Sequence, residues 1–362
     1  MSRPDGPAPD EPLSHTEGAA LLEPWIGPSS TCRGAVLAVS GGPDSTALMG
    51  CAADLARTIP MIVATIDHGL RPASAEEAAG VAGLAARLGL THRILAWTGP
   101  KPAARLQEAA RAARYRLLAG LARETDADLV LTGHTLDDQA ETVLMRLCAG
   151  SGPAGLAGMA PSRVLDGLTP DGPTLGRPFL GVPKARLVAT CGARGWPFVR
   201  DPSNADPRFG RARLRRLMPR LAEEGLTPER LARLAGRLRR DEAALAQAAA
   251  SALGDLRRPQ PGGEGPLTLD GPGLAALPDA LALRVVGLAV ASLRGEADQG
   301  GPRAYPPRLE QLERIVLGEL LPALRGGKPC RRTVAGLLLA AGGGRLALSP
   351  APPRRPPATD PA

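Results

Sequence analysis

Lysine is nearly absent from this chain. Of its 44 basic residues only Lys101, Lys184 and Lys328 are lysines, and the other 41 are arginines. None of the three stands near the glycine-rich turn at residues 40–46. A Walker A loop, G-x-x-x-x-G-K-[ST], is therefore excluded, and with it the usual ATPase and GTPase phosphate loop. Cysteines are few, odd in number and scattered (Cys32, Cys51, Cys148, Cys191, Cys330), with no C-x-x-C pair. That excludes a disulfide framework and a thiolate zinc site. No stretch approaches the roughly 18–20 apolar residues of a membrane span. The first thirty residues carry Asp5, Asp10, Glu11 and several prolines but no apolar signal core. A cytoplasmic protein with no membrane partner is expected.

With 362 residues, 44% of them hydrophobic and 22% charged, the chain is globular and long enough for two domains. Its formal net charge is +8. Abundant Arg, Ala, Gly and Pro are also what a GC-rich genome produces, so the position of the charge says more than its amount. Between residues 207 and 240 stand eleven arginines against Glu223, Glu224 and Glu229, a surplus equal to that of the whole chain. A basic stripe of this kind suits a nucleic-acid backbone. A solvated arginine-rich helix face with no further role is the competing reading.

From residue 34 to about residue 200 the pattern alternates. Short β-like runs at 35–39, 61–66, 93–96 and 129–131 are separated by helical patterns at 44–57, 75–88, 103–124 and 137–148. Such alternation predicts an α/β fold with a doubly wound parallel sheet, whose ligands bind beyond the carboxyl ends of the strands. Three of those ends carry polar signatures: SGGPDS, DHGLR and GHTLDD. Together they predict one site on one edge. The expected divisions are an N-terminal extension over 1–30, partly disordered, and a catalytic domain over 31–215. An Arg-rich helical connection over 216–256, a small α-rich or α/β domain over 266–348 and a disordered tail over 349–362 complete the chain. The sequence GSGPAG at 150–155 matches a dinucleotide fingerprint by letter, but it follows a helix rather than a strand and is read as a loop.

The turn SGGPDS fits the pyrophosphate loop of ATP pyrophosphatases. Gly41 and Gly42 let the backbone approach an anion without a Cβ in the way. Ser40, Ser45 and Thr46 bring hydroxyls, and Pro43 suits the first helical position. Asp44 makes sense beside phosphates as a Mg²⁺ ligand. Enzymes with this loop cut ATP between its α and β phosphates.

SGGPDS, DHGLRPASAEEA, LQEAARAARYRLL, GHTLDDQAETVLMRLCAGSGPAGLAGM and DPSNADPRFGRARLR occur in that order. Over about residues 34–219 the chain thereby resembles the tRNA(Ile)-lysidine synthetases, a family with a PP-loop fold. A weaker likeness continues in YPPRLEQLERIV and GGKPCRRTVAGLLLA, similar to that family's small C-terminal tRNA-binding domain. One departure is Thr135, where many members carry a second histidine after His134. By the same resemblance the small domain is expected to be the last one, without the further module of some longer members.

The resemblance implies ATP and Mg²⁺ as cosubstrate and cofactor, and L-lysine and the CAU-anticodon isoleucine tRNA as partners. It leaves a homodimer open. The implied reaction adenylates the wobble cytidine at its C2 carbonyl; lysine then attacks C2, giving lysidine, AMP and pyrophosphate. By motif, Ser40, Gly41, Gly42, Pro43, Asp44, Ser45, Thr46, His68 and His134 fall to ATP and pyrophosphate. Asp44, Arg114 and Asp137 fall to catalysis, with Asp44 also on Mg²⁺ and Asp137 as a candidate base for the lysine ammonium, whose ordinary pKa is about 10.4. Asp138 and Glu141 fall to the substrate lysine. At helical spacing His134, Asp137, Asp138 and Glu141 share one face, and three acids there ask for visiting cations; ordinary acid enrichment in a first helical turn is the alternative.

Arg111 and Arg114, three apart, face the same way, and either could be a plain surface residue. His68 serves adenosine, the base or only its own loop. Asp201, Asn204, Arg208 and Arg213 are expected on a closing loop. Arg208, Arg211, Arg213, Arg215 and Arg216 are expected on tRNA phosphates, contacts that position RNA without identifying it. Aromatic residues make up only 2% of the chain, so stacking of a splayed base would fall to arginine planes, Phe209 or Trp196. A tRNA thiolase with the same loop would call for paired cysteines, and an amidotransferase for an ammonia source; neither is evident. An RNA-binding relic would be expected to have lost Asp44, Asp137, Asp138 or Glu141, and all four are present.

Overall fold

The computed structural model describes residues 10–55, 59–69, 74–99, 101–102, 106–165, 172–200, 208, 210–259, 265–297 and 309–352. The chain divides into two compact units, residues 1–150 with 155–237, and residues 151–154 with 238–362. Among the described residues no helix is long and apolar enough to cross a membrane.

The first unit runs α1 (His15–Ile26), β1 (Ala35–Ala38), α2 (Pro43–Asp54), β2 (Met61–Asp67), α3 (Ser74–Arg87), β3 (Thr91–Ala96), α4 (Leu106–Glu124), β4 (Leu129–Thr132), α5 (Leu136–Cys148), then a single turn α6 (Pro153–Leu156). The division between units crosses α6, and the first unit continues through β5 (Ser162–Val164), β6 (Thr174–Gly176), α7 (Lys184–Ala193) and α8 (Gly210–Glu223). The long α9 (Pro228–Leu256) follows, and the division between units falls within it. Six strands form one sheet in the order β3-β2-β1-β4-β6-β5. All pairs are parallel except β5 with β6.

The two-residue period of a strand builds both faces of this sheet. Ala35 and Leu37 of β1, with Val39 beyond its end, turn into a core with Leu22 and Ile26 of α1, Leu48 and Met49 of α2, Leu84 of α3 and Leu187 of α7. Val36 turns to the other face, against Leu118 and Leu121 of α4 and Val130 of β4. Leu37 pairs with Val63 on one side and Leu131 on the other, so β1 is central. The strand order reverses between β1 and β4, which is where an open α/β sheet leaves a crevice.

The doubly wound parallel sheet expected from the alternation is therefore the observed fold, with an antiparallel edge strand added. Helix α1 was not part of that alternation. It starts at Ser14, whose hydroxyl and Glu17 close a capping box, and its buried Leu22 and Ile26 belong to the main core rather than to a loose extension. Residues 1–9 and 353–362, the outer parts of the expected disordered ends, lie outside the described residues. Ser349 and Pro350, assigned to the tail, finish a strand.

The second unit holds β7 (Leu267–Asp270), α10 (Gly271–Ala276), α11 (Asp279–Ala297), α12 (Leu309–Ile315), a π-helical turn over Val316–Leu320, α13 (Leu321–Arg325), β8 (Cys330–Val334), β9 (Leu337–Gly342) and β10 (Arg345–Pro350). Its four strands pair antiparallel in the order β7-β10-β9-β8. Leu337, Leu339 and Ala341 alternate inward with Leu346 and Leu348. Gly343 and Gly344, both at positive φ (56° and 69°), make the two-residue turn between these strands.

Candidate active site

The turn after β1 is shaped by its own side chains. Gly41 has φ +83°, a conformation that favours glycine, and its carbonyl accepts the Val199 N–H at 2.8 Å. Ser45 Oγ accepts from the Ser40 N–H at 3.1 Å and donates to the Gly42 carbonyl at 3.1 Å. Pro43 opens α2 with Gly42 as its cap. Thr46 is buried, its N–H bonded back to the Gly42 carbonyl at 2.9 Å. Gly133, in the turn after β4, lies so close that a Cβ there would sit 2.6 Å from the Asp44 carbonyl oxygen. The two turns thus meet backbone to backbone.

Asp44 forms an ion pair with Lys184, the first residue of α7, through Oδ2, while its Oδ1 is buried without a partner. Burial pushes its carboxyl up from the ordinary range, against the pull of Lys184, and Asp138 and Asp137 push it further up. Asp137 Oδ2 accepts the Lys184 backbone N–H at 2.7 Å and so caps α7. A hollow of about 600 Å³ adjoins them, lined by Asp10, Asp137, Lys184, Ala185, Val188 and Ala189.

Asp138 closes a capping box at the start of α5. Its Oδ2 accepts from the Thr135 N–H at 2.9 Å and from Thr135 Oγ1 at 3.1 Å, and its own N–H donates to Thr135 Oγ1 at 3.3 Å. That gives Thr135, the departure from the family pattern, a reason to be a good N-cap residue. Glu141 is 2% exposed. Its Oε1 accepts from Arg215 Nε at 2.7 Å and lies 2.7 Å from Arg215 Nη2, while Oε2 is buried without a partner. Burial raises its carboxyl above the ordinary range, Arg215 opposes this, and Asp138 adds to it. The structure thus joins a residue assigned to lysine with one assigned to tRNA.

His134 Nδ1 lies 2.8 Å from Thr132 Oγ1, which donates its one proton to the Gly176 carbonyl at 3.2 Å. Nδ1 must then be the donor, leaving Nε2 as the ring's acceptor. Burial brings this imidazole down to about 4; Asp138 pulls the other way, and Arg177, Arg111 and Arg211 add to the drop. His134 is neutral at physiological pH. His68 stands edge-on to Trp97, ring centroids 6.0 Å apart, with Nε2 3.4 Å from Arg114 Nη2 and Nδ1 buried without a partner. Burial and the neighbouring Arg114 lower its pKa. Arg111, by contrast, stacks on the Tyr115 ring at 5.1 Å, with Arg163 also 5.1 Å from that ring. Arg114, not Arg111, is therefore the arginine that reaches the DHGLR turn.

Sequence reasoning missed Lys184 and Arg177. Arg177 follows β6, is 4% exposed, and donates from Nη1 to the Ala160 carbonyl at 2.6 Å. No local pattern marks either; only the fold brings them to this edge. Trp196, offered as a stacking surface for RNA, is instead buried on α2, where a Cβ on Gly50 would meet its ring at 2.3 Å. Asp201, Asn204 and Phe209 lie outside the described residues. On α8, Leu214 and Met218 join Leu221 on a stripe packed against Ala140, Val143 and Leu144 of α5. Arg213, Arg215 and Arg216 are exposed, as is Arg208 ahead of the helix, and Arg211 is half-buried. Arg213 Nη1 donates to the Arg208 carbonyl at 3.0 Å.

Residues 15–221, more than half of the chain, match the PP-loop domain family. Proteins named tRNA(Ile)-lysidine synthase from Methylobacterium sp. (strain 4-46) and Methylobacterium nodulans are 64% and 63% identical over 95% of this chain, covering 96% and 98% of their own lengths. The chain belongs to the tRNA(Ile)-lysidine synthase family. A member from Bradyrhizobium sp. (strain BTAi1) is 45% identical over 95% of this chain and 96% of its own. Among solved structures, a U34-tRNA thiolase from Methanococcus maripaludis with its [4Fe-4S] cluster superposes with TM-score 0.51 at 17% identity, covering 62% of this chain and 78% of that one. That likeness speaks to the fold alone. The tRNA(Ile)-lysidine synthase family is an ATP-using, PP-loop one, and the ligand expected in the crevice between β1 and β4 is ATP.

Proposed function

We infer that this chain ligates L-lysine to C2 of the wobble cytidine in the CAU anticodon of isoleucine tRNA, in the cytoplasm, with ATP. The observation that carries this is identity of 64% to a tRNA(Ile)-lysidine synthase across nearly the whole of both chains, joined to a pyrophosphate-type turn at the end of the central strand.

In the first half-reaction the C2 carbonyl oxygen attacks the α phosphorus. One P–O bond forms, the α–β bridging bond breaks, and pyrophosphate leaves. Gly41 and the start of α2 offer backbone N–H groups and a positive helix end to that leaving group. Arg114 supplies positive charge where phosphate charge develops. Neutral His134 offers Nε2 as a hydrogen-bond acceptor for the nucleotide. The buried, unpartnered Oδ1 of Asp44 fits a hard cation, whose remaining ligands would be water and phosphate oxygens. When bound there on Asp44, Mg²⁺ neutralises phosphate charge.

In the second half-reaction the ε-amine of lysine attacks C2, a C–N bond forms, and the C2–O bond to AMP breaks. The ammonium must first lose a proton. Asp137 is the candidate to take it, because one bond to the Lys184 N–H does not saturate a carboxylate. Asp138 and Glu141 hold the incoming cation, and for Glu141 that means competing with Arg215. The exposed face of α8 carries the tRNA backbone.

The test is transfer of labelled lysine to unmodified CAU-anticodon isoleucine tRNA. Incorporation that needs both ATP and this tRNA supports the reading. Pyrophosphate release without incorporation would point to a different nucleophile. Sedimentation of the same preparation decides whether the enzyme is a homodimer.

A further inference from the structure

Lys184 has no role in the chemistry above, yet it sits in its middle. It is the first residue of α7, and its ammonium reaches Asp44 in the first turn of α2, 140 residues away in sequence. Both places are helix N-termini, where backbone dipoles favour anions and oppose a cation. The chain holds three lysines among 44 basic residues and places one of them here.

Two carboxylates make the position tolerable. Asp44 takes the ammonium, and Asp137 takes the backbone N–H of the same residue. The arrangement is nevertheless only partly satisfied. Asp44 Oδ1 has no partner, and an ammonium carries three donors. The Lys184 side chain is 35% exposed, so a ligand in the crevice can reach it without unpacking α7. A polyanion lying on the turn at residues 40–46 would relieve the second of these, because it brings negative charge to two positive helix ends and acceptors to the ammonium, while Asp44 Oδ1 would need a cation accompanying it.

We propose that Lys184 is a phosphate-contacting residue of the adenylation site, donating to the β- and γ-phosphate oxygens of ATP and to the pyrophosphate that leaves. This rests on the reading of the 40–46 turn as a pyrophosphate loop. The family of nucleotide loops that use a Walker lysine carries that cation inside the loop; here the loop has none, and α7 delivers it from the side. The pairing with Asp44 keeps the ammonium oriented until phosphate arrives. Lys184 grips the pyrophosphate half of the substrate and leaves AMP to other residues.

The test compares pyrophosphate alone and AMP alone as ligands, by calorimetric titration of the full-length protein in magnesium buffer. Lys184→Gln is expected to weaken pyrophosphate by ~10–100-fold, the range for losing charge-assisted hydrogen bonds, and to leave AMP within about twofold. Lys184→Arg is expected to restore pyrophosphate binding to within several-fold. Asp44→Asn is the control: a lysine that only neutralises Asp44 would cost no further pyrophosphate affinity when Lys184→Gln is added to Asp44→Asn, and that result would also overturn the proposal. Equal weakening of both ligands, or unchanged pyrophosphate affinity in a folded Lys184→Gln protein, overturns the proposal. If Lys184→Gln does not fold, Lys184→Arg and Lys184→Met decide it by the same ratio. Wild-type protein that binds no pyrophosphate would overturn the loop reading itself, and the proposal with it.

Discussion

The polar turns that end β1 and β4 lie against each other and carry similar residues, but they are built differently. After β1, the side chains brace the turn from within, Ser45 bridging Ser40 and Gly42, and Asp44 keeps one buried oxygen unpartnered. After β4, more of the acids are engaged: Asp137 caps α7, Asp138 closes its capping box and Glu141 holds Arg215 through one oxygen, as Asp44 holds Lys184, with its other oxygen likewise unpartnered. A ligand reaching the first turn finds an anion cradle in place. A ligand reaching the second must share or displace a partner, which costs part of what it gains. The first suits binding of ATP before anything else happens. The second suits a step that waits for a cation able to compete with a guanidinium.

The strongest way to break this contrast is Asp44→Asn. It is expected to lower tRNA-dependent pyrophosphate release by ~100–1000-fold, the scale of removing a key electrostatic group from a site; a loss below tenfold would place the chemistry elsewhere. Gly133→Ala attacks the junction of the two turns. With a Cβ 2.6 Å from the Asp44 carbonyl oxygen, no rotamer change relieves the clash. A loss of about 3 kcal/mol in urea unfolding is expected, together with weaker ATP binding. Arg215→Ala leaves Glu141 buried without its cation. Because Arg215 is itself well exposed, the expected loss is about 2 kcal/mol rather than the full cost of breaking a buried pair. Adding Glu141→Gln should recover most of it, read as a double-mutant cycle.

Much of this was legible because the chemistry sits where strands end. The apolar runs of β1, β2 and β4 and the polar signatures after them are local, and they place one site on one edge; that the edge lies at the strand reversal comes from the observed strand order. The binding partners of the acids were not legible. A capping box explains Asp138 only with Thr135 beside it, and the Glu141–Arg215 pair depends on how α8 lies across α5, 74 residues apart in sequence. Lys184 and Arg177 arrive through α7 and β6 with no local signal. Helix α1 and the β9–β10 hairpin were not read from the sequence, although Ser14, Glu17 and the spacing of Leu22 and Ile26 mark the first and the paired glycines between alternating leucines mark the second. Trp196 shows the opposite error: an isolated aromatic looked like a base platform, and the core took it.

Two smaller effects sharpen the contrast. His134 titrates at about 4 in the folded chain, against about 6.5 unfolded. The unfolded state therefore binds the extra proton between those values, and stability falls as pH drops from about 6.5 to about 4, by at most about 1.4 kcal/mol per pH unit. His134→Gln should flatten that part of the curve and leave the region above pH 7 unchanged. Least of all, Arg213→Ala and Arg216→Ala should each raise the KM for tRNA a few-fold and reduce the salt slope of binding by about one. Their kcat should stay as it was. A loss of kcat instead would move these arginines from the RNA track into the reaction.

The most direct measurement of the division of labour is single-turnover assay of Glu141→Gln beside Asp44→Asn, following pyrophosphate release and labelled lysine incorporation in the same tube. Asp44→Asn is expected to lose both signals. Glu141→Gln is expected to keep tRNA-dependent pyrophosphate release within a few-fold while lysine incorporation collapses. Parallel loss of both signals in Glu141→Gln would contradict that division, and would mean that the two turns form one indivisible site.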